Sequence, residues 1–440
     1  MKIRFFYISL LAFLSLSTAQ GQKVYGLKDC ISVGLERNFS ILIARNDETI
    51  SKNNFTPGNA GFLPTIDLNG KQSGTLNNTT MNLTDGSQTI SNGVLNTTTN
   101  GSVALGMTLF NGFNAVTTYK KLNELKQVGE LNTQMSIENL IADIVSGYYN
   151  YILQVQLKNN LKYALTLSRE RLRIDEDRYL LGSGSKLEVL QSRVYVNSDS
   201  SNLSRQNEVV RSAHIRLNEM MAVENLGDEF STKDTSIDVI PELIYEILLQ
   251  ETLVGNTSLL IASKNKTISE YDYKLIVSRS YPYLNFSGGY NYNLNTYSKS
   301  TNKSQITNGM NYGLTLGVNL FDGNNQRRSI HNSSIERDSK DLRYREVEQG
   351  VKADLLTIYS AYSNNLRLIS LEEQNFQTAT ENLDIALERY KLGNLSGIDL
   401  REVQKSLLDA RERLISAHYQ AKLAEVSLQL ISGKIMEYYN

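Results

Sequence analysis

Two glycine turns, and the acids that follow them, hold the side chains of this chain best placed to do chemistry. The first turn, Gly182-Ser183-Gly184-Ser185-Lys186, has the composition of a phosphate loop but neither its spacing nor a preceding strand, so a plain turn accounts for it. Glu188 follows it. The second turn, Gly393-Asn394, is followed by Asp399 and Glu402, three positions apart and therefore on one helix face. An acidic pair of this kind attracts cations where it lines a passage, and it also favours a helix N-terminus through the helix dipole. His214, His331 and His418 stand singly, with no His or Cys at ligand spacing, so no metal site is expected. The single cysteine, Cys30, cannot form an internal disulfide and suits a small buried hydrophobe. No catalytic constellation emerges, so neither an enzyme nor a bound cofactor is expected.

The two turns recur because the chain is duplicated. Leu109-Phe110-Asn111-Gly112 returns 211 positions later as Leu320-Phe321-Asp322-Gly323, and Arg178-Tyr179-Leu180-Leu181-Gly182 returns at the same offset as Arg389-Tyr390-Lys391-Leu392-Gly393. Further upstream, Asn38-Phe39-Ser40-Ile41 and Pro64 return as Asn256-Thr257-Ser258-Leu259 and Pro282 at an offset of 218. The difference falls between two strands, which makes the first hairpin loop seven residues longer than the second. Internal repeats set the reading of everything else.

Each repeat has the same succession of periods. In the first (20–222), a helical pattern over 27–54 gives way after Pro57-Gly58 to strand alternation from Pro64, as Ile66 and Leu68 interleave with Asp67 and Asn69. A polar run from Ser73 to Gly101 follows, then alternation again at Val103, Leu105, Met107 and Leu109. These features predict a hairpin over about 63–110 with a long solvated loop. A helix over about 113–181 would run roughly 100 Å at 1.5 Å per residue, and a second helix over about 186–221 returns from the turn. Residues 223–240 form the linker. The second repeat (241–440) starts its helix at Pro241, has its hairpin over about 283–321, its long helix over about 324–392 and its return helix over about 397–432.

The second hairpin has the clearest alternation. Leu284, Phe286, Tyr290 and Tyr292 interleave with Asn285, Ser287, Asn291 and Asn293, and Met310, Tyr312, Leu314 and Leu316 with Asn311, Gly313 and Thr315. Such strands suit a lipid-facing barrel wall with a watery interior. In the helix that follows, apolar residues from Val347 through Leu355, Tyr362 and Leu383 to Tyr390 recur at a mean step of about 3.6, a narrow stripe suited to coiled-coil contact. Two short helices, laid end to end, match the length of each long one.

Composition agrees with long, thin helical packing. Of 440 residues 40% are hydrophobic, Trp is absent and Pro occurs four times. The net charge of −1, with basic residues interleaved among acids, supports no nucleic-acid face. Lys2 and Arg4, an apolar run from Phe5 to Leu16 and Ser17-Thr18-Ala19 predict a cleaved export signal over 1–19. No later apolar run reaches the roughly 20 residues of a membrane-spanning helix, so membrane residence would have to use strands. Two hairpins supply four strands, too few to close a barrel of about eight or more, so copies must pool their strands.

The export signal, the two helix-hairpin-long helix-helix units, the Leu-Phe-Asn/Asp-Gly junctions and the Arg-Tyr-x-Leu-Gly turns together resemble the TolC outer-membrane efflux family over essentially the whole mature chain. The resemblance implies a homotrimer with one shared twelve-stranded β-barrel in the outer membrane of a Gram-negative bacterium and a long coiled-coil tunnel in the periplasm. It also implies docking to a periplasmic adaptor (membrane-fusion) protein and, through it, to an inner-membrane pump. The chain would then be the passive exit duct of a tripartite efflux or type I secretion system. Gly182, Gly184, Gly393 and Asn394 would form the tip that meets the adaptor, and Glu188, Tyr390, Asp399 and Glu402 would line the periplasmic entrance. The chain departs from the family pattern at Gln191, which stands at the first-repeat place of Glu402, and at Leu395, where some members carry an arginine. The competing reading is a secreted coiled-coil structural or adhesive protein with soluble hairpin tips.

Overall fold

The computed structural model describes residues 23–439; the export signal expected over 1–19 lies outside them. In chain order the elements are β1 (Lys23–Tyr25), α1 (Leu27–Arg37), α2 (Phe39–Asn54), β2 (Thr65–Asn82), β3 (Gln88–Asn111), α3 (Asn114–Leu180) and α4 (Lys186–Met220). After these come β4 (Phe230–Thr232), α5 (Tyr245–Gly255), α6 (Thr257–Ser278), β5 (Tyr283–Tyr297), β6 (Ser304–Gly317), α7 (Asn325–Lys391), α8 (Gly397–Ile431) and a 3-10 turn, Ile435–Tyr438. The fold is mainly α with one four-stranded antiparallel β-sheet. It divides into a strand unit, residues Asp47–Leu131 and Ile261–Glu346, and a helical unit made of the rest. The long helices α3 and α7, 67 residues each, contribute to both.

In the strand unit, β2, β3, β5 and β6 form one antiparallel sheet in that order. Register places Ile66 and Leu68 beside Leu105 and Val103, these beside Gly288 and Tyr290, and these beside Tyr312 and Met310, so one face is apolar across all four strands. On the other face Thr98 Oγ1 donates to Asn295 Oδ1 at 2.8 Å, Asn100 Nδ2 to Asn293 Oδ1 at 2.6 Å and Asn291 Nδ2 to Asn311 Oδ1 at 2.8 Å. These side-chain pairs overturn the expected long loop. The ladder of β2 and β3 continues to Asn82↔Gln88, and only residues 83–87 turn. Threonines are β-branched and the amides bond across strands, so a run too polar for a core is well suited to a solvated ladder. The extra length of the first hairpin therefore lies in its strands. Ion pairs Lys121–Asp272 (2.5 Å), Lys264–Glu124 (2.9 Å) and Lys266–Asp341 (2.7 Å) join the helical parts of this unit.

In the helical unit, the helices expected to run unbroken over 27–54 and from 241 to 278 are each interrupted at an asparagine. Asn38 and Asn256 take extended backbone. Asn38 Oδ1 accepts from Ser40 N at 2.9 Å, Asn256 Oδ1 accepts from Leu259 N at 3.0 Å, and their Nδ2 atoms donate to the carbonyls of Met220 and Ile431, both at 2.9 Å. Each asparagine thus caps one short helix and binds the last turn of another, which joins the short helices end to end. Pro241 does not start a helix, because Ile240 is held on both sides: its N–H donates to Glu425 at 2.8 Å and its carbonyl accepts from Tyr362. The 223–240 segment is more than a linker, since β4 pairs in parallel with β1 and buries Phe230. The main core gathers Ile31, Ile41, Ile141, Ile144, Tyr148 and Leu217; a smaller one, Leu167, Leu383, Tyr390, Leu400 and Leu407, lies near the glycine turns.

Candidate functional site

The site is built where α3 passes into α4 and α7 into α8. Gly182 at φ +74° ends α3, and the Ser183 and Gly184 amides close back onto the Arg178 carbonyl at 2.9 and 3.0 Å. Gly393 at φ +83° ends α7, with the Asn394 amide on the Arg389 carbonyl at 2.9 Å. Both positive φ values favour glycine, so these residues punctuate the helices for a backbone reason.

The sequence-predicted acids fall at the helix starts. Ser185 N donates to Glu188 Oε2 at 2.8 Å and Glu188 N to Ser185 Oγ at 3.3 Å, a reciprocal capping box. Asp399 N donates to Ser396 Oγ at 3.1 Å, and Ser396 Oγ donates to Asp399 Oδ2 at 2.7 Å. Glu188 and Asp399 therefore each serve a cap, while Glu402 is exposed.

Tyr390 does not stand with them. It is 2% exposed, and its hydroxyl donates to Asp175 of α3. Arg178 donates to the Tyr390 carbonyl and stacks its guanidinium 4.7 Å from the ring centroid. Burial, reinforced by the Asp175 carboxylate, pushes the phenol up to about 12. Asp175 also accepts from Ser192 of α4 and lies 3.8 Å from Arg171 Nε.

A second polar set lies beside the first. Arg401 of α8 binds Asp199 of α4 through two hydrogen bonds of 2.9 and 2.8 Å and reaches Ser168 of α3 at 3.2 Å. Ser168 in turn donates to Asp199. Arg171 and Arg401 each place a guanidinium 5.0 Å from the Tyr195 ring centroid. Arg171 is 3% exposed, and its Nε and Nη1 have no hydrogen-bond partner. A Cβ on Gly397 would sit 2.6 Å from Arg171 Nη2, so the missing side chain lets the arginine lie against the start of α8.

Sequence reasoning missed Arg171, Asp175, Ser192, Asp199 and Arg401. A signal existed: Ala164, Ser168, Arg171 and Asp175 continue one helical spacing in which polar residues occupy core positions. The set joins four helices through directional, charge-assisted bonds. Removing one member of such a set takes a bond from a buried polar group.

Among the described residues no group of three or more His, Cys, Asp or Glu could hold a metal ion. His214 accepts from Phe230 N at 3.3 Å, His418 lies 4.0 Å from Glu373 and His331 is exposed. Burial pushes the Cys30 thiol up to about 12, which makes it unreactive. Among the described residues no helix is long and apolar enough to cross a membrane.

Comparison with known proteins agrees with this architecture. The family described as outer membrane efflux protein matches residues 248–434. Outer membrane protein TolC of Vibrio cholerae serotype O1 is 26% identical over 201 residues; the match covers 44% of this chain and 44% of that protein, less than half the length of either. Solved structures resemble the chain over nearly its whole length. CusC, described in terms of folding and transmembrane channel formation, gives a TM-score of 0.77 at 15% identity, covering 95% of both chains. The outer membrane protein VceC of Vibrio cholerae gives 0.72 at 16% identity, covering 92% of this chain and 96% of that one. The CmeC outer membrane channel of Campylobacter jejuni gives 0.71 at 17% identity, covering 93% and 85%. By sequence over residues 248–434, and by fold over nearly its whole length, the chain is similar to outer-membrane efflux proteins.

Proposed function

We propose that the protein is the exit duct of a tripartite efflux or type I secretion assembly, a homotrimer that shares one barrel in the outer membrane. The carrying observation is the four-stranded sheet with one apolar face and two outer strands, β2 and β6, whose far edges have no partner among the described residues. In lipid each unpaired backbone group costs several kcal/mol, so the edges must meet other strands. Because β2 and β6 run antiparallel, a copy's β6 can continue onto the next copy's β2. Three sheets give twelve strands, above the minimum of about eight for a closed barrel.

In this reading Glu188, Tyr390, Asp399 and Glu402 belong to the periplasmic entrance. Gly182, Gly184, Gly393 and Asn394 meet a periplasmic adaptor coupled to an inner-membrane pump. The Tyr390–Asp175 and Arg401–Asp199 bonds hold α7 and α8 to α3 and α4, and opening the entrance breaks them. A passive duct leaves the choice of cargo to the pump.

The test is fractionation followed by conductance. The mature protein should stay in outer membranes through carbonate extraction, run as a heat-sensitive trimer and give unitary steps in planar bilayers. Recovery as a monomer in the carbonate wash would refute the duct and favour the soluble adhesive protein.

A further inference from the structure

The duplicated unit carries a template for the contact between copies, and the template is written in register. Shifting an ascending strand by 218 positions and a descending strand by 211 carries the rungs of the first hairpin onto those of the second. Thr65↔Gly106 becomes Tyr283↔Gly317, Ile66↔Leu105 becomes Leu284↔Leu316, and Ser73↔Thr98 becomes Asn291↔Gly309, all of which are observed pairs. The same shift applied to the junction between hairpins, β3 against β5, takes β3 onto β6 and β5 back onto β2. That pair has no counterpart among the described residues.

We infer that β6 of one copy pairs with β2 of the next in the register of the β3–β5 junction, so that Thr315 stands opposite Lys71, Gly313 opposite Ser73 and Phe321 opposite Ile66. This rests on the shared-barrel reading and assigns its residues. The observed rungs that generate these three pairs are Ala104↔Gly289, Ser102↔Asn291 and Phe110↔Leu284. The irregularity between Thr108 and Phe110 carries over too, placing a bulge at Leu320.

Three independent features of the strand unit agree. The side chains that the register covers are among the most open large apolar ones described: Leu68 is 83% exposed and Phe321 77%. Their counterparts at the internal junction, Phe286 and Phe110, are only partly exposed. Glycine packing shows the same vacancy. A Cβ on Gly112 would lie 2.4 Å from the Ser278 carbonyl and 2.8 Å from Tyr281 Cβ, whereas beside Gly323 only the neighbouring Asn325 comes within reach. Ser278 and Tyr281 correspond to Ala60 and Leu63, so the next copy's turn into β2 is the group that fills the place. An open cavity of about 640 Å³, lined by Asn319, Leu320, Phe321 and Asp322, marks it. Polarity is matched along the seam as well, since Lys71, Ser73, Gly313 and Thr315 all lie on the polar face.

Cysteine pairs in the full-length protein in outer membranes test the register. Directly opposed residues stand about 4.5–5.5 Å apart between Cα atoms, within the span of a disulfide, and a shift of two residues takes them to roughly 7–8 Å. Oxidation of Lys71→Cys/Thr315→Cys should give covalent trimers on non-reducing gels after heating, as Ser102→Cys/Asn291→Cys should form its intrachain bond. Ser73→Cys/Thr315→Cys should give at least tenfold less product. Preferential linkage of the 73/315 pair would overturn the register while leaving the shared barrel standing. Absence of interchain product from both pairs, with the intrachain pair oxidised, would overturn the register and the barrel together.

Discussion

Replacing Tyr390 by phenylalanine removes one oxygen from the polar set that joins α7 to α3. The hydroxyl is buried and donates to the Asp175 carboxylate; a hydrogen bond to a charged group is worth about 1.5–3 kcal/mol. Asp175 keeps Ser192 as a donor and Arg171 nearby, so it is not orphaned and the lower part of the range applies, about 1.5–2 kcal/mol. At 1.4 kcal/mol per factor of ten, that shifts a closed–open equilibrium by roughly 10- to 30-fold. A duct open about 1% of the time would then be open roughly 10–20% of the time. Single-channel recording of purified Tyr390→Phe should show this rise. Tyr179→Phe is the matched control, because Tyr179 is the repeat counterpart and is 46% exposed; it should match wild type. An unchanged open fraction in Tyr390→Phe refutes the reasoning whatever thermal melts show. Lowered stability would then mean that the bond supports the fold but does not lie on the opening path.

Three further outcomes follow from the same structure. His214 is held neutral, its pKa lowered by burial while its ring accepts from Phe230 N. The unfolded chain therefore binds the extra proton, and stability is complete above about pH 6.5 and falls as pH drops through that value toward the lower folded one. His214→Gln should flatten the fall in melting temperature between about pH 7.5 and 5. Lys422 and Glu425 form a buried pair at 2.7 Å, Glu425 being 0% exposed. Lys422→Met should cost about 3–5 kcal/mol in denaturant melts, and Lys422→Met/Glu425→Gln, which removes the unpaired charge while keeping an acceptor for Ile240 N and Tyr438, should recover part of it. For the acids proposed to line the entrance, Asp399→Ala/Glu402→Ala should weaken cation selectivity and block by multivalent cations. Because Asp399 also caps α8, Glu402→Gln isolates the electrostatic effect, and unchanged selectivity in both variants rules the ring out.

Much of the fold could be read from the sequence, because duplication states each element twice and because alternation and 3.6-residue spacing are robust signals. The failures have local causes. Asn38 and Asn256 interrupt helices without glycine or proline, and their effect depends on carbonyls contributed by Met220 and Ile431, far away in sequence. The Ser73–Gly101 stretch was polar enough to suggest a loop, yet its threonines and asparagines bond across strands. At the site, Glu188 and Asp399 satisfy a helix cap and could equally face a passage, so residue type alone does not separate the two roles. Asp199 was hidden because a lone acid in a charged helix carries no mark of burial, and Asp175 showed only through the core spacing it shares with Ser168 and Arg171.

The polar set also shows where duplication stopped being symmetrical. At an offset of 211, Ser168, Asp175, Ser192 and Asp199 correspond to Ala379, Ala386, Val403 and Ala410, and Arg401 corresponds to Leu190. The first repeat thus supplies the carboxylates and the second the tyrosine and the arginine that bind them. Ala386 and Ala410 are themselves 5% and 2% exposed, packed where a second set of acids would be buried without partners. Apolar packing tolerates sliding, since it has little directional preference. A charge-assisted hydrogen bond does not, since it is lost within a short displacement. In the proposed duct, opening would part this seam as a unit by breaking its directional bonds, while the apolar packing beside it accommodates the movement.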